Sequence, residues 1–415
     1  MDAEPRRITA DEYAAFARCF ESGFGILPND ADLDLWRKAV DLERTLAVFD
    51  RDDVVATADS YRFELSLPGA ATLPVAGVTR VAVRGTHRRQ GLLTGLMRKL
   101  LDEAHGRGEA VAVLTASEGG IYGRFGYGLA SLQASVDLST AHAAFARPVG
   151  RSGRLTLADP ETARKVAPAV HDQARRRQPG DIERQEWYWD IHFADPHWAR
   201  EGASGLFHLV HQDPGGHADG YAAYRWKDSW ERGNPSNEVV VVDAFGTSAE
   251  VEAELWRYLL DLDLAAKVSA WKRPVDDPLR WLLADPRRLE VTSVRDDIWV
   301  RLLDVPAALG ARRYGAEGRA VLEVVDGFCP WNHGRWVLEA SPEGTGRARR
   351  AGPGEPAGLR LGVADLGAVF LGGVRPSELA RSGRIEELRS GAVAGADALF
   401  GVVAAEPAPF CRSGF

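Results

Sequence analysis

The strongest constraint on the fold is a succession of strand, helix and strand that runs from residue 78 to residue 116. The apolar segment LPVAGVTRVAV predicts a strand that ends near Val83, and the continuously apolar AVAVLTA predicts a fully buried strand. The segment between them predicts a helix that ends at Gly106 or Gly108. Its apolar face is formed by Leu92, Leu93, Leu96, Leu100 and Leu101. Strands joined by a helix in this order are expected to pair in parallel through a right-handed crossover.

The residues before this unit extend the α/β pattern. Thr9 is a candidate helix cap, because Glu12 follows it at the spacing of a capping box. The apolar runs 46–49 and 54–67 flank the polar turn 50–53, which predicts a β-hairpin. The first third of the chain is therefore expected to form a sheet with at least two helices.

The loop between the first strand and the helix concentrates positive charge where a helix begins. A helix N-terminus has unpaired N–H groups and a partial positive charge, so it can bind phosphate. Arg88 and Arg89 add full charges there, and Gly91 allows close approach of a ligand to the backbone. The loop matches neither a Walker sequence nor GxGxxG. The residues alone leave two readings open, a phosphate site or a solvated arginine pair.

A second strand, helix and strand succession repeats this layout without the arginine-rich loop. It contains predicted strands at Val239–Ala244 and Lys267–Trp271, with Ser248 as the cap of a helix that continues from Val251. The Pro-, Gly- and Arg-rich stretch 145–154 predicts a boundary before it. The repeat suggests two related domains in tandem.

Composition excludes several classes of protein. The chain has 415 residues and 51 basic against 59 acidic side chains, so its formal net charge is -8. That balance argues against nucleic-acid or anionic-membrane partners and is compatible with a cationic small molecule. The three cysteines are far apart and lack CxxC spacing, which indicates reduced thiols. With no apolar leader and no long apolar run, the expected location is cytoplasmic.

Two stretches carry a resemblance to a known family. Residues 88–91, RRQG, resemble the coenzyme-A loop of the GNAT acetyltransferases, although Leu93 stands where that family often has glycine or alanine. THRRQGLL together with SEGGIYGRFGYGLAS resembles the enhanced intracellular survival (Eis) family of N-acetyltransferases. The resemblance implies a mixed α/β (α+β) fold with three domains. They are a catalytic GNAT domain (1–149), a degenerate GNAT-like domain (150–298) and a sterol-carrier-like domain (299–415).

The resemblance also implies an acetyl-CoA site and two catalytic groups. The implied coenzyme contacts are Val81, Ala82, Val83, Arg89, Gln90, Gly91, Leu92, Leu93, Thr94, Ser117 and Glu118. Tyr122 is the implied general acid, with Tyr127 as its competitor in the same motif. A thiol has a pKa of about 8.5 and a phenol about 10, so a tyrosine can protonate the leaving sulfur at modest cost. The implied general base is the C-terminal carboxylate of Phe415.

The acceptor implied by the resemblance is a small-molecule primary amine, such as an aminoglycoside or a related polyamine. Phe24, Trp36, Glu21 and Asp30 lie in the segment that would line its cavity, without individual roles. The alternatives are a protein-lysine acetyltransferase and a non-catalytic lipid- or CoA-binding protein. The family implies a homohexamer. No metal is expected, because the histidines at 208, 211 and 217 straddle a strand end and a turn.

Overall fold

The computed structural model describes residues 2–401, 403 and 406–415. By their internal contacts they form two compact units, Met1–Ser131 together with Asp296–Phe415, and Leu132–Arg295. The domain boundaries predicted after residues 149 and 298 stay a prediction.

The N-terminal part of the first unit contains the predicted βαβ segment. Strands β1 to β6 are Asp2–Arg7, Leu46–Asp50, Asp53–Leu67, Ala71–Val83, Val111–Leu114 and Gly128–Leu129. Helices α1 to α3 are Tyr13–Gly23, Asp30–Arg37 and Leu92–Gly106. Strands β4 and β5 pair in parallel, which confirms the predicted crossover. The hairpin of β2 and β3 is also confirmed.

The second unit follows directly in the chain. Strands β7 to β15 are Leu132–Ser139, Arg154–Ala158, Phe207–Gln212, Ala218–Lys227, Trp230–Glu231, Asn234–Pro235, Asn237–Gly246, Ala265–Pro274 and Glu290–Asp296. Helices α4 to α7 are Pro160–Arg175, Glu186–Ala194, Ala249–Leu260 and Leu279–Leu282. Strands β13 and β14 pair in parallel around α6, so the predicted second βαβ segment is confirmed.

The chain then returns to the first unit. Strands β16 to β21 are Trp299–Leu302, Gly318–Val325, Gly334–Ala340, Gly346–Arg350, Leu359–Gly362 and Ile385–Glu387. Helices α8 to α11 are Val305–Ala311, Val363–Val369, Pro376–Arg381 and Ala392–Phe400. None of the helices in the described chain combines the length and the apolar character that crossing a bilayer requires.

Three main sheets result. The first has the order β1-β2-β3-β4-β5-β16-β6, and the sheet of the second unit has the order β15-β7-β14-β13-β10-β9-β8. The C-terminal sheet has the order β19-β18-β17-β20-β21. Because β16 comes from the C-terminal third and lies between β5 and β6, the N-terminal and C-terminal parts share one sheet.

Helix α3 buries its predicted apolar face against the first sheet. Leu96 and Leu101 are fully buried and pack with strand residues such as Ala56 and Ala112. Leu93 is the exception, because it is half-buried and faces the cavity described below. Burying a leucine side chain contributes about 2 kcal/mol, so this face holds the helix, and with it the loop before the helix, on the sheet.

One local prediction at the N-terminus is wrong. The first helix begins at Tyr13 and its N-cap is Glu12, so Thr9 does not cap it. The N–H of Thr9 does donate to Glu12 Oε2 at 2.8 Å, as one half of a capping box would. Glu12 also accepts from Arg6 at 2.6 Å, and the residues after Thr9 form a turn before the helix.

Candidate active site

A cavity of about 490 Å³ lies between the end of β4 and the start of α3; we call it the coenzyme cavity. Its wall includes every coenzyme contact implied by the resemblance except Gln90. The lining residues are Gly23, Phe24, Val81, Ala82, Val83, His87, Arg88, Arg89, Gly91, Leu92, Leu93, Thr94, Ser117, Glu118, Ile121, Tyr122 and Arg124. Gly23, His87, Ile121 and Arg124 were not predicted as site residues, although His87, Ile121 and Arg124 lie within the two motif stretches.

The N-terminus of α3 leaves its amides available to a ligand. Gly91 is the N-cap, its φ is 81°, and no side chain caps the helix. Apart from residue 91 and its immediate chain neighbours, no atom of the residues that the structure describes lies within 4 Å of where a Cβ of residue 91 would stand. Arg89 also has a positive φ, of 62°. Alternation of left-handed and ordinary backbone turns successive N–H groups toward one side, a geometry that binds anions. The residues therefore fit a diphosphate.

Strand β4 supplies the opposite wall. It pairs with β5 at Ala76 and Gly77, and Val81–Val83, which line the cavity, lie farther along the strand. Its register against β3 shifts between the pairs Thr57 with Ala82 and Asp59 with Thr79, which marks a bulge. A bulge re-aims the strand beyond it and frees backbone groups from the ladder. Ala82 and Val83 remain paired with β3, whereas the pairs with β5 end at Gly77, so the side of Val81–Val83 toward β5 lies outside that ladder and fits an extended ligand such as a pantetheine arm.

Tyr122 and Tyr127 differ in what their hydroxyl groups can do. Both side chains are buried, and their rings meet edge to face at 5.9 Å. Burial, with a smaller contribution from Glu118, raises the pKa of Tyr122, yet the residue lines the cavity. Burial also raises the pKa of Tyr127, whose hydroxyl is buried without a hydrogen-bond partner among the described residues. Tyr122 alone of the two faces space that a substrate could enter.

A second cavity, of about 330 Å³, adjoins the first; we call it the acceptor cavity. Its lining residues are Phe20, Phe24, Val78, Thr79, Arg80, Val81, Thr115, Ala116, Ser117, Tyr122 and Phe415. Tyr122 and Phe24 therefore line both cavities. Glu21, Asp30 and Trp36, from the segment expected to line the acceptor site, are not among these residues.

The end of the chain is held inside the first unit. Glu406 accepts hydrogen bonds from the backbone N–H groups of Gly69, at 2.8 Å, and Ala70, at 3.2 Å. The N–H of Cys411 donates to Asp297 Oδ2 at 2.8 Å. At the terminus, Thr115 Oγ1 donates to a carboxylate oxygen of Phe415 at 3.1 Å. Most chain ends are poorly ordered, so this anchoring is a feature that needs an explanation.

The ring of Phe415 and the floor of the cavity are fixed by close packing. The ring meets that of Phe63 at 5.0 Å in an edge-to-face contact. A Cβ on Gly77 would stand 2.4 Å from the Phe63 ring and 3.4 Å from the Phe415 ring. A side chain at position 77 would therefore clash with the Phe63 ring, against which the Phe415 ring packs. The motif sequences gave no sign of this position.

A buried ion pair lies beneath the acceptor cavity. Arg80 donates to Asp59 Oδ2 at 2.7 Å, and 11% of the Arg80 side chain and 1% of Asp59 are exposed. Arg80 has a φ of 49°, which is rare for a residue with a side chain and strained by about 1–3 kcal/mol. Burial raises the pKa of Asp59, although Arg80 opposes that effect. A single arginine inside an apolar strand segment was the available sequence signal.

The three histidines once considered for a metal site have other partners. His208 Nδ1 and the Tyr221 hydroxyl lie 2.9 Å apart, and His211 Nδ1 lies 2.5 Å from Asp219 Oδ1. His217 is exposed and pairs with Asp213. In the part of the chain that the structure describes, no group of three or more His, Cys, Asp or Glu side chains is arranged to hold a metal ion.

Family models match all three parts of the chain. Residues 4–130 and residues 180–302 each match an acetyltransferase (GNAT) domain. Residues 305–412 match a sterol carrier protein domain. Among curated relatives, an uncharacterized N-acetyltransferase of Streptomyces coelicolor is 39% identical over the whole of both chains. The N-acetyltransferase Eis of Mycobacterium tuberculosis is 35% identical, over 88% of each chain. The chain belongs to the Eis family of GNAT N-acetyltransferases.

The fold of the Eis family accounts for the whole chain. The crystal structure of Eis1 from Mycobacterium abscessus superposes with a TM-score of 0.86 and 33% identity, covering 99% of this chain and 100% of that one. The expected fold class, two GNAT domains followed by a sterol-carrier-like domain, is confirmed. This Eis-family chain is an acyltransferase, and its GNAT fold implies acetyl-CoA as co-substrate.

Proposed function

We propose that the chain transfers acetyl from acetyl-CoA to a primary amine, with Tyr122 as general acid and the Phe415 carboxylate as general base. One observation supports this most: Tyr122 lines both the coenzyme cavity and the acceptor cavity. A phenol at such a junction can protonate a group on one side while an amine occupies the other.

The coenzyme would lie along the wall of its own cavity. The amides of Leu92, Leu93 and Thr94 would bind the diphosphate, with Arg89 adding charge. Val81–Val83 would contact the pantetheine arm, and Ser117 and Glu118 would lie beside it. When bound, the coenzyme supplies an acetyl thioester, in which the C–S bond breaks as the new N–C bond forms.

The chain's own groups move the two protons. The attacking amine gives its proton to the Phe415 carboxylate, directly or through water, and Tyr122 gives its proton to the departing sulfur. A phenol is protonated at neutral pH, so Tyr122 can act as an acid. Burial raises its pKa, which makes transfer of the proton to the sulfur less favourable, so the contribution of Tyr122 would come from its position beside the sulfur. A free carboxylate is a weak base, so its value here would come from position at the cavity.

The finer parts of the proposal come from the family. The acceptor would be an aminoglycoside or another amine, with a protein lysine as the alternative, and the enzyme would act as a cytoplasmic homohexamer. Light scattering measures the last point directly. A non-catalytic lipid- or CoA-binding protein would release no thiol from acetyl-CoA with any amine, and the same assay separates that class.

The proposal is tested by Tyr122→Phe in a thiol-release assay with acetyl-CoA and a panel of amines. We expect kcat to fall by about 10²–10⁴, the usual contribution of a positioned acid, while the Kd of acetyl-CoA stays the same. Tyr127→Phe is the matched control, because it leaves the ring and removes a hydroxyl that has no hydrogen-bond partner in the described part of the chain. Loss of turnover in Tyr127→Phe alone would reverse the assignment.

The base is tested by extending the chain by two glycines after Phe415. The extension replaces the terminal carboxylate with a neutral amide, so we expect turnover to be lost and acetyl-CoA binding to persist. The same two glycines at the N-terminus serve as the control. Normal turnover by the C-terminally extended enzyme would show that another group takes the amine's proton.

A further inference from the structure

Thr115 follows directly after β5 and lines the acceptor cavity together with Tyr122 and Phe415. Strand β5 is held on both sides, because it pairs in parallel with β4 and antiparallel with β16. The side chain of Thr115 is β-branched, which restricts its χ1 angle and hence the direction of its hydroxyl. A rigid part of the sheet therefore holds this hydroxyl at the site of the proposed reaction.

The hydroxyl of Thr115 donates to a carboxylate oxygen of Phe415 at 3.1 Å. The Phe415 ring is fixed separately, by its contact with the ring of Phe63. Between the ring's anchor and the rest of the chain lies Gly414, which is exposed and has the backbone freedom of a glycine. Packing of the ring alone therefore does not fix the carboxylate, and the hydrogen bond from Thr115 does. A carboxylate has about four lone-pair positions, so one such bond leaves others available to an amine.

The donor to the carboxylate is neutral, although a cation lies on the same wall. Arg80 lines the acceptor cavity, but its guanidinium donates to Asp59 Oδ2 at 2.7 Å. An arginine paired with the terminal carboxylate would strongly favour its charged form and make it a poorer base. A hydroxyl fixes the orientation of the carboxylate without adding a positive charge, so the carboxylate keeps more of its basicity.

We propose that Thr115 is a positioning residue for the general base: its hydroxyl holds the Phe415 carboxylate where that group takes the proton of the attacking amine. This inference rests on the proposed acetyl transfer and adds a residue that lies in neither motif stretch. The proton moves from the ammonium nitrogen to the carboxylate, directly or through water, and the freed lone pair attacks the thioester carbonyl. Holding the base beside the amine raises its effective concentration there.

The test compares Thr115→Val, which keeps the branched shape and removes the hydroxyl, with Thr115→Ser, which keeps the hydroxyl. With acetyl-CoA and kanamycin at about pH 7, we expect the kcat of Thr115→Val to fall about 10- to 100-fold, the effect of losing a hydrogen bond to a charged group. The KM for kanamycin should change less than kcat, and Thr115→Ser should retain most of the turnover. A wild-type kcat in Thr115→Val, or an equal loss in Thr115→Ser, would refute the assignment.

The pH dependence separates an effect on the base from a structural effect. Between about pH 7 and about pH 9.5 more of the amine loses its extra proton in solution, so a base is needed less. The deficit of Thr115→Val relative to wild type should therefore shrink by about threefold or more. The deficit of Tyr122→Phe should not shrink, because burial raises the pKa of Tyr122 and the phenol keeps its proton. An equal Thr115→Val deficit at both pH values would overturn the inference.

The outcomes distinguish this inference from the proposed function. Thr115 is not among the residues that line the coenzyme cavity, so the Kd of acetyl-CoA reports folding of the variants. If Thr115→Val does not fold, Thr115→Ala carries the same prediction. An active Thr115→Val beside an inactive C-terminally extended enzyme would defeat this inference alone. Normal turnover of the extended enzyme, or no thiol release by wild type with kanamycin and every other amine, would defeat both.

Discussion

The two βαβ segments of the chain share the same order of strands and helix, but they differ in the connection between the first strand and the helix and in the space beside it. In the first, residues 84–91 connect β4 to α3, and a cavity of about 490 Å³ lies against the connection. In the second, Thr247 and Ser248 alone connect β13 to α6. The strands and the helix are common to both, so the difference in binding capacity lies in the connection.

The caps of the two helices follow from the connections. Gly91 has no side chain, and among the described residues no side chain caps the first amides of α3. Ser248 Oγ accepts from the N–H of Val251 at 3.3 Å, so an amide of α6 is already used. At a capped helix end the cap residue accepts a hydrogen bond from a first-turn N–H group, whereas at an uncapped end these N–H groups bond to water or to a ligand.

Side-chain packing fills the second segment further. A Cβ on Gly220 would stand 2.4 Å from Val251 Cγ1, and one on Gly246 would stand 2.8 Å from the same atom. The first turn of α6 thus rests directly on the glycines of β10 and β13. The comparison teaches that the longer connection and the uncapped helix start accompany a cavity in the first segment, whereas the short connection and the packing of Val251 fill the corresponding place in the second.

The residues that follow the bulges in β4 and β13 also differ between the two segments in whether they line a cavity. In β4 the residues beyond the bulge line a cavity, whereas in β13 Asp243 follows the bulge and forms a bidentate pair with Arg184 at 2.8 Å. His192 lies beside this pair, with Nδ1 4.0 Å from Asp243 Oδ2 and Nε2 2.9 Å from the Tyr221 hydroxyl. A buried polar network occupies the position where the first domain is open.

The largest expected effect is acid lability confined to the second unit. Burial lowers the pKa of His192 to about 4, opposed by Asp243 and reinforced by Arg184, His208 and Arg225. The folded pKa lies below the unfolded value, so the unfolded chain binds the proton more readily. The free energy of unfolding therefore keeps its full value above about pH 6.5. It falls by about 3 kcal/mol in all as the pH drops toward 4.

Hydrogen exchange of peptides from residues 132–295, compared between pH 7 and pH 4 after correction for intrinsic rates, measures this loss. Peptides around α3 should not show it. His192→Gln keeps a polar group near Tyr221 and cannot titrate, so its pH slope should be shallower. An unchanged slope in the variant would show that the acid sensitivity arises elsewhere in the network.

The sequence predicted the order of strands and helix in both segments. It did not predict the features that depend on contacts between residues far apart in the chain. Apolar periodicity was sufficient for α3 and for the parallel strands, because burial of that face alone orients the helix. The coenzyme-loop residues share one continuous stretch, so their common cavity could be expected. Phe20 and Arg80 line one cavity with Phe415, and Gly77 lies close to its ring, only because the chain folds, and no local pattern encodes that proximity. The Thr9 cap was wrong because residues 10–12 form a turn and the helix begins only at Tyr13.

The next effect concerns the uncapped helix start. Gly91→Ala adds a Cβ that meets no protein atom but is strained at a φ of 81° and points into space a diphosphate would use. We expect acetyl-CoA to bind about tenfold or more weakly, by isothermal calorimetry, equivalent to about 1–2 kcal/mol. Gly108→Ala is the matched control, since its φ is 79° with open space around it at the other end of α3. Equal weakening in both variants would mean that strain, not the site, is responsible.

The smallest expected effect tests whether the helix cap alone accounts for the difference in cavity between the two βαβ segments. Ser248→Ala frees the N–H of Val251 and should destabilise α6 by about 1 kcal/mol, whereas Ser248→Thr should retain most of the stability. Exchange rates of the first-turn amides of α6 measure the difference. The freed amide should not create a coenzyme site, because Val251 still fills the space over Gly220 and Gly246. If Ser248→Ala bound a second equivalent of acetyl-CoA, the cap and not the packing would be what closes the second domain.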